Sequence, residues 1–223
     1  MSFSYSKSPQ GITANWKDAL SLSQISIIKI APLLAAIVLT KNIELILGIE
    51  WWLLSLSIFI ASLILNGAII HSMHTLANGA QPNLIGSLVH VFEKLVQLII
   101  GFLMSALLIG LGTILFIIPG IVLGFSTFFH IPLILLDGHP GFEAVNRSRQ
   151  LVKGWWWKSF ITIGAPGLVV LPIALFKYII FSFINIDKYS QIILTELISC
   201  LFICYQNSTI LVHFNDLKLN RPQ

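Results

Sequence analysis

The chain has 223 residues, of which 56% are hydrophobic and only 10% charged, and its mean hydropathy is +0.89. A soluble domain is about 25% charged, and a soluble core of this size could not hide so much apolar surface, so composition excludes a soluble globular protein. The formal charge of +4 does not indicate nucleic acid, because the basic residues flank apolar runs and form no solvated basic face.

Residues 1–23, MSFSYSKSPQGITANWKDALSLS, are polar and lack the apolar core and cleavage site of a signal peptide. They are expected to form a cytoplasmic segment, with the first span acting as the membrane signal. Six apolar windows follow, at 24–40, 51–71, 95–118, 120–136, 160–183 and 190–213. Each is near the roughly 20 residues that a helix needs to cross about 30 Å of hydrocarbon. The expected fold class is therefore all-α: a polytopic membrane protein with a single six-helix domain over 24–213 and a cytoplasmic tail over 214–223.

Loop charges orient it. Lys7, Lys17, Lys94, Arg147, Arg149, Lys153, Lys158, Lys218 and Arg221 fall on one side, against Lys41 and Lys188 on the other. Positive charge stays inside, so both termini are expected in the cytoplasm. Trp51 and Trp52 then mark the outer interface, and Trp155, Trp156 and Trp157 the inner one.

Pro119 and Gly120 predict an uncharged turn between the third and fourth spans. Gly101, Ser105, Gly112, Gly120 and Gly124 allow the flanking backbones to approach closely. Gly164, Pro166, Gly167 and Pro172 predict a kinked fifth span. Short segments with Ala or Ser and charges precede the first, third and fifth spans: WKDALSLS, LIGSLVHVFEKL and GFEAVNRSRQLVKG. They suggest three repeats of an interfacial helix plus a helical hairpin, a reading that stands level with ordinary alternation in a polytopic chain. The last of these segments, 141–158, is expected to lie along the cytoplasmic interface. Val145, Ser148, Val152 and Trp155 would face the acyl boundary, and Arg147, Arg149 and Lys153 anionic headgroups.

The stretch FIIPGIVLGFSTFFHIPLILLDGHPGFEAVNRSRQLVKGWWWKSF resembles the YciC-like family of bacterial inner-membrane proteins, relatives of the membrane domain attached to some glycerophosphodiester phosphodiesterases. Pro119, Gly120, Pro132, Asp137, Gly141, Ala144, Arg147 and Ser148 carry the likeness, with a weaker match at LILNGAIIHSMHTLANGAQPN. The resemblance implies a polytopic inner-membrane protein of about six helices with no established activity. In the phosphodiesterase relatives hydrolysis belongs to a separate soluble domain, for which this chain has no room.

Chemistry-bearing residues are sparse. His71 and His74 lie three apart, with His90 and His139 on the same side, and are weak metal candidates because no carboxylate or cysteine joins them at ligand spacing. Cys200 and Cys204, four apart in an apolar run, read as small buried thiols. No GxSxG elbow or placed carboxylate pair occurs, so no catalytic residue and no cofactor is expected. Intramembrane polar groups are the stronger lead: Glu196 and Lys177, facing each other or the bundle, with Asn66, His130 and Gln206 as further candidates. The leading expectation is a non-enzymatic inner-membrane protein acting on lipid or another membrane component, with anionic lipids as partners. A small-molecule or ion transporter or channel comes second, and a metal-dependent membrane enzyme third.

Overall fold

The computed structural model describes residues 3–47, 52–168, 172 and 187–220. Among these, all regular structure is helical. The helices are α1 Ile12–Lys29, α2 Ala31–Leu47, α3 Trp52–Ala77, α4 Leu84–Glu93, α5 Leu95–Leu115, α6 Ile117–Thr127, α7 His130–Leu135 and α8 Gly141–Val152. They are followed by α9 Trp156–Ser159, which runs into a π-turn at Phe160–Gly164, and by α10 Lys188–Leu219. The protein is an all-α, multi-pass membrane protein. Among the described residues, four stretches are long and apolar enough to cross a bilayer: Leu54–Ala77, Leu95–Leu115, Ile117–Leu135 and Ser190–Leu219. Most of the predicted fifth span, from 169 on apart from 172, lies outside the described residues.

The first predicted span is not straight. A pair, Ile12–Lys29 and Ala31–Thr40, meets the same criteria only when taken together, and it is bent by 82°. Pro32 explains the break: in a continuous helix its ring would strike the Ile28 carbonyl, and it has no N–H to donate. In the first turn of α2 that missing donor costs nothing. Ile30 closes α1 by donating its N–H to the Ser26 carbonyl at 2.9 Å and opens α2 by accepting from Leu33 and Leu34. Most of α1 thus comes from residues assigned to the polar N-terminal segment. It buries Asn15, Ala19, Leu22, Ser23 and Ser26, with Ser23 and Asn15 bonded to Cys204 and His213 of α10.

The hairpin between α5 and α6 reverses at Phe116, which is extended at φ −161° and ψ 147°. It does not reverse at Pro119 and Gly120, which sit in the first turn of α6, where a proline is well tolerated. Gly120 instead serves the contact between the helices, since a Cβ there would collide with Thr113, and one on Gly112 would lie 3.1 Å from the Gly120 nitrogen. Ile114 to Ile118 at the tip are 71–83% exposed, as suits lipid.

Interruptions elsewhere are patched by side chains, since an unpaired backbone group in the bilayer is costly. Between α6 and α7, Ser148 of α8 accepts from the Phe129 N–H at 3.0 Å and donates to the Ser126 carbonyl at 2.8 Å. Pro166 cannot donate to Thr162, four residues earlier, and the Thr162 carbonyl accepts from Trp16 Nε1 at 3.0 Å. Gln206 Nε2 donates to the next carbonyl of the π-turn, Ile163, at 3.3 Å.

The two ends of the described chain meet. Ser6 and Gln10 bond to Asn215 and Asp216 near the end of α10, and Tyr5 bonds to His74 near the end of α3. The tail assigned to 214–223 is helical to Leu219, with Asp216 and Leu217 buried.

Candidate functional site

Five helices, α3, α5, α6, α7 and α10, line an open cavity of about 720 Å³. Its walls are mostly apolar, with three phenylalanines and four isoleucines, and none of the described lining residues is charged. Ser62 and Asn66 come from α3, Ser105 from α5, Thr127 from α6, His130 from α7 and Asn207 from α10. The helix break at Phe128 and Phe129 places His130 here, at the start of α7. Phe59 and Phe102, also in the lining, have ring centroids 4.8 Å apart and are each more than a third exposed. The cavity thus opens toward the lipid-facing surface beside this pair.

His130 is 8% exposed. Its Nδ1 lies 2.7 Å from the Thr127 carbonyl and 3.4 Å from Ser105 Oγ. A carbonyl can only accept, so Nδ1 carries a proton and Nε2 presents a lone pair. That Nε2 is buried and has no protein partner among the described residues. Asn66 and Asn207 each donate an amide N–H to the carbonyl four residues earlier, at 2.8 and 3.0 Å, leaving a second N–H and an oxygen each.

Of the predicted intramembrane candidates, His130 and Asn66 meet at this cavity. Glu196 instead accepts from Asn42 Nδ2 of α2 at 3.1 Å, Gln206 holds the π-turn, and Lys177 lies outside the described residues. Ser105, Thr127 and Asn207 were not read as site residues; an asparagine within the apolar span was the signal available for Asn207.

The segment expected at the lipid interface is α8, and its inner face packs on protein. Val145, Ser148 and Val152 are buried, along with Gly141 and Ala144. A Cβ on Gly141 would collide with the Gln97 carbonyl of α5, and its N–H donates to Gln97 Oε1 at 2.9 Å. Arg147, Arg149 and Lys153 are exposed, Arg147 pairing with Glu143 at 2.7 Å. Trp157 is 70% exposed and Trp155 37%, whereas Trp156 stacks on Phe160 and donates to the Val122 carbonyl.

His71 and His74 turn to separate partners. The His71 ring stacks on His90 with centroids 4.5 Å apart and bonds Ser87 Oγ at 3.0 Å. His74 bonds Tyr5 and Asn78, and burial pushes the Tyr5 phenol above its usual range. No three His, Cys, Asp or Glu side chains converge on a metal position among the described residues.

A second polar cluster closes the end where the termini meet. Asp216 Oδ2 receives Lys158 Nζ at 2.6 Å and Asn15 Nδ2 at 3.2 Å, and Oδ1 receives the Gln10 N–H at 2.7 Å. Lys158 also donates to the Gln10 carbonyl at 2.6 Å, and His213 Nε2 lies 3.0 Å from Ser159 Oγ. Nearby, Lys218 pairs with Asp137 at 2.8 Å. Compared with family models, curated proteins and solved structures, the chain matches none of them.

Proposed function

We propose that this chain is a non-enzymatic protein of a bacterial inner membrane, with both termini cytoplasmic, that takes a lipid or another membrane-dissolved component into the cavity between α3, α5, α6, α7 and α10. The cavity carries the proposal. Its 720 Å³ falls within the roughly 300–1,000 Å³ of sites that take small organic ligands, and its mouth is on the apolar flank. The Ser105 and His130 contact is no nucleophile and base, because Nδ1 already holds the proton that it would have to accept from the hydroxyl. The orientation rests on the nine-to-two excess of basic loop residues, and membership of the YciC-like family on the residues quoted above. Exposed Arg147, Arg149, Lys153 and Trp157 suit anionic headgroups at about 1 kcal/mol per basic residue near the surface.

Native mass spectrometry of the protein extracted from its own membrane tests the proposal. Gly124 lines the cavity, and a Cβ there would meet only Ile109 Cδ1, at 4.0 Å, so Gly124→Phe fills space without striking backbone. The wild type is expected to carry an added mass of lipid size that Gly124→Phe lacks. No added mass, or the same mass on both proteins, would contradict the reading.

A further inference from the structure

We infer that the chain is a closed ring of three equivalent units, α1–α3, α4–α7 and α8–α10, and that the polar cluster around Asp216 is the joint that closes it. Each unit opens with a helix that packs on the last helix of the unit before. In α4, Ser87 bonds His71 and Ser72 of α3 at 3.0 and 2.9 Å, and a Cβ on Gly67 of α3 would lie 3.0 Å from Val91. In α8, Ser148 bonds Phe129 and Ser126 at the start of α7. In α1, Asn15 bonds His213 and Asp216 of α10, and the Ser23 carbonyl accepts from Cys204. The relation of α4 to α3 and of α8 to α7 is thus also that of α1 to α10, and the set closes on itself.

The register repeats too. Gly11, Asn83 and Pro140 hold the N-cap positions of the three opening helices. Four residues after each cap stand Asn15, Ser87 and Ala144, and eight after it Ala19, Val91 and Ser148, all at most 2% exposed. A polytopic chain that merely alternates has no reason to pack its first helix on its last, or to repeat its buried positions from the cap. The chain makes two of the joints itself. Gly79 and Gly138 have positive φ, at 82° and 74°, where glycine pays no steric penalty. The residue after each donates back into the helix just ended, Ala80 to Thr75 and His139 to Leu133, both at 3.1 Å. At the third joint α10 and α1 are not consecutive, and side chains do the work of the turn: Asp216 takes the Gln10 N–H, Asn215 donates to the Ser6 carbonyl, and Lys158 holds both Asp216 and the Gln10 carbonyl. The joints lie together, since Lys218 holds Asp137 at 2.8 Å and Tyr5 reaches His74 at 3.1 Å. The closing helices α3, α7 and α10 all line the cavity, which therefore lies where the units meet; the ring stands whether or not that cavity holds a ligand.

Circular permutation of the full chain tests the equivalence of the units. Gln223 is joined to Met1 through about twelve Gly and Ser residues, which reach about 20 Å as a flexible coil. New ends are opened at a joint, between Ala80 and Gln81 in one variant and between His139 and Pro140 in another. Both are expected to enter the membrane and to melt in detergent within about 4 °C of the natural order, because one joint is exchanged for another. Failure of either to fold, or a melting temperature lowered well beyond that, overturns the equivalence. Closure by α1 within one molecule is read separately in the natural order, by oxidising Ser23→Cys in a Cys200→Ser background. The Ser23 carbonyl is 3.5 Å from Cys204 Sγ, within reach of a disulfide. A disulfide inside the chain is expected; no disulfide, or one between two chains, overturns the closure.

Discussion

The Lys158 ammonium and the Asp216 carboxylate, 13% and 2% exposed, lie 2.6 Å apart and tie α9, the end of α10 and the N-terminal segment into one knot. Removing one partner leaves the other buried with no counter-charge, so Asp216→Ala and Lys158→Ala should each cost about 3–5 kcal/mol. Because the two groups act together, the double variant should lose less than the sum. Thermal unfolding in detergent reads both effects, and additive losses would show that the pair is not coupled. A similar contrast separates two glycines of one helix. Gly120→Val drives a side chain into Thr113 and should destabilise by about 1–3 kcal/mol or more, whereas Gly124→Ala meets only Ile109 at 4.0 Å and should leave the melting temperature nearly unchanged.

Helix periodicity reveals that an element has an apolar face but not what covers it, and α4 and α8 show the difference. In α8, Val145 and Val152 recur at helical spacing, as a membrane-surface helix would have them, yet α5, α6 and α7 occupy that side. In α4 the outward row of Ile85, Val89 and Phe92 is 53–74% exposed and is the apolar row that protein leaves uncovered. Nitroxides at Val145 and Val152 are therefore expected to be immobile and shielded from both oxygen and water-soluble relaxants, before and after Arg147, Arg149 and Lys153 are changed to Gln. A nitroxide at Phe92 should be open to oxygen. Loss of shielding at Val152 in the triple variant would restore the interfacial reading of α8. The broken first span and the shifted hairpin turn have a common cause: a proline marks a helix boundary to within a turn, but whether it stops one helix or starts the next depends on packing around Pro32 and Pro119.

For the whole molecule, the apolar windows and the grouped basic residues were enough to read an all-helical, multi-pass protein. The cavity was not legible, because its polar residues come from five helices and share no spacing; His130 and Asn66 could be named, but nothing in the sequence joined them to Asn207. The same is true of Asp216, whose partners at Asn15 and Lys158 are far away in the chain. The six spans expected from the sequence would put both ends of the chain on one side of the membrane. Reporter fusions after Lys41 and at the C-terminus should accordingly report opposite sides of the membrane, and the same side for both would refute the topology. The central claim is that the space between α3, α5, α6, α7 and α10 is a ligand site. An electron cryomicroscopy map of the protein in nanodiscs of native lipid tests it most directly. The account predicts elongated density in that space, running inward from the Phe59 and Phe102 pair; a cavity closed by the protein's own side chains, or empty of density, would contradict it.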